Sequence, residues 1–154
     1  MPRTIKLTGK SALAAMLYSQ VHLHGYNDLS ESERVEFTFE IKGKMPSLNE
    51  YDSQHSHYRV AAQMKKHWTE LIAVQAGIAA QGRKYLAITV DIQWIEPNKR
   101  RDKDNIAFAK KFIFDGLVLA EIIPNDGWAN VVNWTESFKV DTKNPRVLVT
   151  VMQA

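Results

Sequence analysis

The sequence contains no cysteine, only seven glycines and five prolines in 154 residues, and no long apolar run. Each absence excludes something. Without thiols there is no disulfide scaffold, no thiolate metal site and no cysteine nucleophile. No stretch approaches the ~18 apolar residues that a membrane span requires. There is no internal repeat, no low-complexity tract and no Pro/Gly/Ser linker long enough to separate two domains. No small-residue cleavage site follows a clean apolar core near the start, so no signal peptide is expected and a cytoplasmic location is the default. Neither sign of charge dominates: 20 lysines and arginines stand against 17 acids, a net charge of +3. At 45% hydrophobic and 24% charged residues, the composition is that of an ordinary globular domain rather than a disordered tail, a collagen or a coiled coil. A chain of this length suffices for a single domain with its own core.

What is present reads as alternating strands and helices. Val35, Phe37, Phe39 and Ile41 alternate with polar residues and predict a strand over 34–41. Apolar residues at spacings of three and four (Tyr58, Ala61, Ala62, Trp68, Leu71, Ile72, Ile78) predict a helix over 54–81, with Gly82 as its stop. A second strand is expected over 86–95, ended by Pro97, and a second helix over 105–121, ended by Pro124 and the Asn125-Asp126-Gly127 turn. Strands at 131–134 and 146–152 follow. Residues 1–33 read as an N-terminal extension with a short helix at 12–21, and residues 34–154 as the main domain. The predicted fold class is α/β or α+β: a mixed four-stranded sheet carrying two main helices.

The chemistry concentrates between the second strand and the second helix. Residues 97–111 hold Lys99, Arg100, Arg101, Lys103, Lys110 and Lys111 against only Asp102 and Asp104, a surplus of four positive charges when the whole chain has three. Focused basic charge of this kind is what phosphate-backbone contact requires. Carboxylates repel phosphate, so two of them inside such a patch call for a reason. A divalent cation supplies one, because magnesium is commonly held by one or two carboxylates together with substrate phosphate oxygens. If the segment is extended, Asp102 and Asp104 at i and i+2 point to the same side. On a continuous helix Asp104, Phe108, Lys111 and Asp115 share one side, and Lys111 and Asp115 are spaced to pair. Asp126 lies in the turn after that helix. Each feature also has a plain structural reading: Asp104 as a helix cap, Lys111–Asp115 as a surface ion pair, Asp126 as turn chemistry, the basic run as a solvated loop.

The ordered set Arg100-Arg101-Asp102-Lys103-Asp104-Asn105, then Lys111-Phe112-Ile113-Phe114-Asp115-Gly116-Leu117, then Asn125-Asp126 resembles the RusA family of crossover-junction endodeoxyribonucleases. Pro46-Ser47-Leu48-Asn49-Glu50-Tyr51 resembles that family's entry into its first helix. The resemblance spans about residues 34–152. It implies a RusA-like fold and a homodimeric, magnesium-dependent nuclease that resolves four-way (Holliday) DNA junctions by paired nicks. It also implies three acids as metal ligands and catalytic groups, matching Asp102, Asp104 and Asp126, and a catalytic lysine. Counted back from Phe114-Asp115 the lysine is Lys111, with Lys110 beside it; counted forward from the acidic pair the slot holds Phe108. Lys99, Arg100, Arg101, Lys103 and Lys110 are the expected DNA contacts. No small-molecule cofactor or membrane partner is expected.

Two other readings stay open at this level: a dimeric branched-DNA binder whose acids are catalytically idle, and a metal-dependent flap or single-strand nuclease. His22/His24 and His55/His57 form two short isolated pairs with little claim to a metal. Trp68, Trp94, Trp128 and Trp134 are expected to pack in the core, with the last three near enough in sequence for one to wedge into DNA. Gly116, inside a helix, is expected to permit a close approach.

Overall fold

The computed structural model describes residues 35–53 and 57–154. The expected N-terminal extension, the helix at 12–21, and His22, His24 and His55 lie outside the described residues. The chain runs β1 (Glu36–Lys42), α1 (Leu48–Ser53), α2 (Tyr58–Ala80), β2 (Ile88–Glu96), α3 (Lys103–Ala107), α4 (Lys110–Leu119), β3 (Val131–Val140) and β4 (Arg146–Gln153). The four strands form one mixed sheet in the order β1-β4-β2-β3. β4 is antiparallel to both neighbours, while β2 and β3 are parallel. The described unit is thus the α+β domain that the alternating pattern predicts.

The strand alternation translates directly into a dry face. Phe37, Phe39 and Ile41 of β1, Val147, Val149 and Val151 of β4, and Ile88, Val90, Ile92 and Trp94 of β2 are all buried. Against them pack Ile72 and Ala76 of α2 and Phe112, Ile113 and Leu117 of α4. β3 is an edge strand and runs to Val140, six residues beyond the expected end. Its second half, Thr135–Val140, alternates little and stays largely in solvent, so burial does not announce it; nine residues of register with β2 do.

Three departures from the periodicity have physical causes. α2 buries Ala61, Ile72, Ala76 and Ala80, while Tyr58 and Ile78, expected on the inner face, point outward. The reason is Gly116 of α4: a Cβ there would sit 2.5 Å from Ile72 Cγ2 and 3.1 Å from the Thr69 carbonyl. The two helices meet so closely that small side chains and Ile72 define the contact. Second, the helix expected over 105–121 is two. Between α3 and α4, Ala109 N–H donates to Ile106 O and Lys111 N–H to Phe108 O, both at 3.2 Å. These i→i+3 bonds tighten the chain by a residue or so and end the simple 100° count. Third, α1 begins with a reciprocal capping box: the Ser47 N–H donates to Glu50 Oε2 at 2.6 Å, and the Glu50 N–H donates to Ser47 Oγ at 3.2 Å. α2 ends as expected, with Gln81 and Gly82 both left-handed (φ 51° and 81°).

Candidate nucleic-acid interface

The loop leaving β2 is shaped by its own side chains. Asn98 Oδ1 accepts the Arg100 N–H at 3.0 Å, an Asx turn that swings the chain off the sheet. Glu96, the last residue of β2, is buried. A buried carboxylate must be paired, and Arg101 pairs it: Nε to Oε2 at 3.0 Å and Nη2 to Oε1 at 2.6 Å, a two-pronged fork. The same guanidinium reaches the Met45 carbonyl at 2.8 Å and Glu50 at 3.4 Å, so it ties β2, the segment after β1 and α1 together. Arg101 is therefore a correction to the expected DNA contacts: its charge is spent inside the fold. The Ser-x-x-Glu box at 47–50 was the one sequence signal for this anchorage. Partial burial pushes the Glu50 carboxyl upward, but hydrogen bonds from the Ser47 N–H and hydroxyl, with the charges of Arg101 and Lys44, outweigh it and hold Glu50 below its ordinary range.

Fixing Arg101 inward presents the residues around it outward. Lys99, Arg100, Asp102, Lys103 and Asp104 are all exposed. Among the described residues, Asp102 and Asp104 accept no side-chain hydrogen bond or ion pair, although cations flank both in sequence, and Lys99 and Arg100 are equally unpaired. Asp102, not Asp104, is the residue preceding the first turn of α3, with extended φ/ψ of −69°/150° and no side-chain cap bond. Asp104 lies within that turn, so the two are not related as i and i+2 on a strand. They project from the start of a helix, where negative charge is favoured.

The lysines divide. Lys103 Nζ lies 5.5 Å from the Phe138 ring centroid and Lys110 Nζ 5.7 Å from that of Trp134, so both lean over β3. Lys110 is also paired with Glu136 at 3.0 Å, and Glu136 accepts the indole N–H of Trp94 (2.9 Å) and of Trp134 (3.0 Å). That carboxylate, unremarked in the sequence, orders this end of the sheet. Lys111 points elsewhere. Its Nζ is 3.8 Å from Asp115, which also meets Lys65 of α2 at 3.5 Å. The expected Lys111–Asp115 pair is present, and Lys111 keeps an exposed side chain.

Asp126 is not brought to this group. β2 and β3 are parallel, with Ile88 opposite Val131 and Glu96 opposite Val140. The loop with Asp102 and Asp104 leaves the C-terminal end of β2, whereas Asp126 precedes the N-terminal end of β3. Asn130 marks that end, bonding the Leu86 carbonyl at 2.7 Å. A nine-residue strand separates the two ends, on the order of 25 Å. Among the described residues, no three Asp, Glu or His side chains of the protomer converge as a metal cluster. The three acids read as one site are in this respect corrected: Asp102 and Asp104 both sit at the start of α3, and Asp126 stands apart.

Of the tryptophans, Trp94 is buried and Trp68 packs partly buried against the core, as expected. Trp134 is half exposed and meets Phe114 edge-on at 5.6 Å. Trp128 is fully exposed beside Asp126, contrary to the expected core role.

No protein-family model and no curated protein matches the chain.

Proposed function

We propose that the protein is a structure-selective, magnesium-dependent endodeoxyribonuclease that resolves four-way DNA junctions as a two-fold dimer. One observation carries the reading: the carboxylates of Asp102 and Asp104 stand unpaired and exposed amid Lys99, Arg100 and Lys103. An acid that neutralises none of its neighbours is available to something else, and the pair suits magnesium's habit of using few protein ligands and sharing phosphate oxygens. The metal, when bound, lowers the pKa of a coordinated water and offsets charge accumulating on phosphorus. Asp102 and Asp104 would hold it, Lys99, Arg100 and Lys103 grip flanking phosphates, and Lys111, on leaving its long 3.8 Å pairing with Asp115, supplies a cation for charge developing on the scissile phosphate. Lys110, engaged with Glu136 and Trp134, acts as a platform member rather than a free catalytic cation.

Asp126 fits this reading only across a dimer. The parallel crossover sets it at the far end of its own protomer's sheet, so it completes a metal site through the partner subunit. A two-fold assembly matches a junction whose strands need one cut each. The proposal is tested by incubating the protein with a synthetic four-way junction and magnesium. Wild type yields paired nicks, Asp104→Asn loses at least 100-fold of the rate, and EDTA abolishes cleavage. Cleavage that survives both the substitution and EDTA sinks the mechanism. Junction binding that needs no metal and is never followed by cleavage favours the binding module instead. Equal cutting of flaps and linear single strands points to the broader nuclease.

A further inference from the structure

α2 and α4 come close at Gly116, where a Cβ would sit 3.1 Å from the Thr69 carbonyl. That approach carries the neighbouring side chains with it. Lys65 lies one turn before Thr69 on α2, and Asp115 directly precedes Gly116 on α4, so the two meet across the helix pair. Lys65 Nζ stands 3.5 Å from Asp115 Oδ2. Lys111 Nζ, one turn back along α4, stands 3.8 Å from Asp115 Oδ1. One carboxylate thus serves two ammonium groups, one on each oxygen.

The arrangement is loose on both sides. A charge-assisted hydrogen bond from an ammonium closes to about 2.7–2.9 Å. Both contacts here are longer, and Oδ2 is buried yet accepts no hydrogen bond. Lys110, the adjacent residue, shows the contrast. It is paired with Glu136 at 3.0 Å, donates to the Ala107 carbonyl at 3.3 Å and lies over the Trp134 ring. Its side chain is 28% exposed against 56% for Lys111. Lys110 is committed; Lys111 is lightly held.

What opposes the departure of Lys111 is therefore less its own contact than the acid it abandons. The Asp115 side chain is only 20% exposed. A mostly buried carboxylate stripped of its cation is costly. Lys65 removes that cost, because it stays on the other oxygen when Lys111 leaves. It also comes from a different helix, so its hold on Asp115 does not depend on where the Lys111 side chain points.

We propose that Lys65 is a positioning residue: it keeps Asp115 in place and neutralised, so that Lys111 exchanges its carboxylate partner for a DNA phosphate without leaving a buried charge behind. The proposal rests on the reading of Lys111 as the cation at the scissile phosphate and names the device that frees it. Lys65 itself touches no phosphate in this scheme.

Four variants of the full chain test it: Lys65→Met, which keeps the packing of the stem and removes the charge, Lys65→Arg, Asp115→Asn, and Lys65→Met/Asp115→Asn. The first readout needs no DNA. NMR relaxation of the lysine ammonium groups is expected to show a mobile Lys111 in the wild type. In Lys65→Met, Lys111 has sole possession of Asp115 and its order parameter rises; in Lys65→Arg it returns to the wild-type value. A Lys111 whose mobility is unchanged by Lys65→Met overturns the inference, whatever the protein does to DNA. The second readout is single-turnover cleavage of a saturating four-way junction with magnesium. Lys65→Met is expected to cut roughly tenfold more slowly with unchanged junction affinity, and Lys65→Arg to recover the rate. The double variant is expected to cut no more slowly than Asp115→Asn, because without the carboxylate Lys111 has nothing to leave. A Lys65→Met defect that shows as weaker junction binding, or that persists in full on the Asp115→Asn background, overturns the inference in favour of a direct phosphate contact. A wild type that cuts no junction fails the nuclease reading alone, and the mobility of Lys111 then decides this inference by itself.

Discussion

Arg101 shows how far a residue's neighbourhood in sequence can mislead about its use. It sits within a run of basic residues, yet its guanidinium is committed to Glu96, the Met45 carbonyl and Glu50. Removing it leaves Glu96 buried and unpaired, so Arg101→Ala is expected to destabilise the fold by about 3 kcal/mol. Arg100→Ala, one position away and exposed, is expected to cost under about 0.5 kcal/mol. Chemical denaturation of the two variants checks this. The reverse order is expected for DNA: Arg100→Ala weakens binding and lowers its salt dependence by roughly one ion, while Arg101→Ala alters affinity only as far as the fold suffers.

At the level of elements, two contacts are open to test by substitution. The first is the α2–α4 contact through Gly116. Alanine would favour the isolated helix, but its methyl collides with Ile72 and the Thr69 carbonyl. Gly116→Ala is therefore expected to destabilise by about 1–3 kcal/mol, the usual cost of overpacking, read as a lowered melting temperature. The second is the β3–β4 turn. The Asn144 N–H above all, then the Arg146 guanidinium and the Lys143 N–H, hold the Asp141 carboxyl below its ordinary value. A carboxyl depressed on folding contributes stability that is fully present above its unfolded pKa, about 4, and is lost as pH falls through the folded value. Glu50 acts in the same direction. The melting temperature is thus expected to hold from neutral pH down to about 5 and to fall below about 4. Asp141→Ala should melt lower than wild type at pH 7, and the gap should close in acid. A gap that widens on acidification contradicts the assignment.

The whole molecule poses the question that the separate pieces do not: how, on the proposed function, acids at opposite ends of a sheet would serve one metal. A shared site predicts complementation. Asp104→Asn and Asp126→Asn are each expected to be inactive, but a mixture allowed to exchange subunits regains one intact site per heterodimer. Such a mixture nicks one strand of the junction without resolving it. If all three acids acted within one protomer, no heterodimer would contain an intact site and the mixture would stay dead. Product analysis on denaturing gels distinguishes the two.

Much of this protein is written locally. Alternation placed the β1, β2 and β4 faces because period two is the geometry of a strand and burial follows it. The 3.6-residue period placed α2 and marked the stretch that folds as α3 and α4 without showing the break between them, and composition alone marked the basic loop with its two acids. Local sequence could not place what depends on distant partners. The inward face of α2 was chosen by Gly116 of another helix, the second half of β3 by pairing with β2, and the fate of Arg101 by a glutamate on a strand end and another on a short helix. Above all, the separation of Asp126 from Asp102 and Asp104 follows from β2 and β3 being parallel. A parallel connection must return the chain along the length of the sheet before the next strand can start, and strand direction is settled only when the whole sheet assembles.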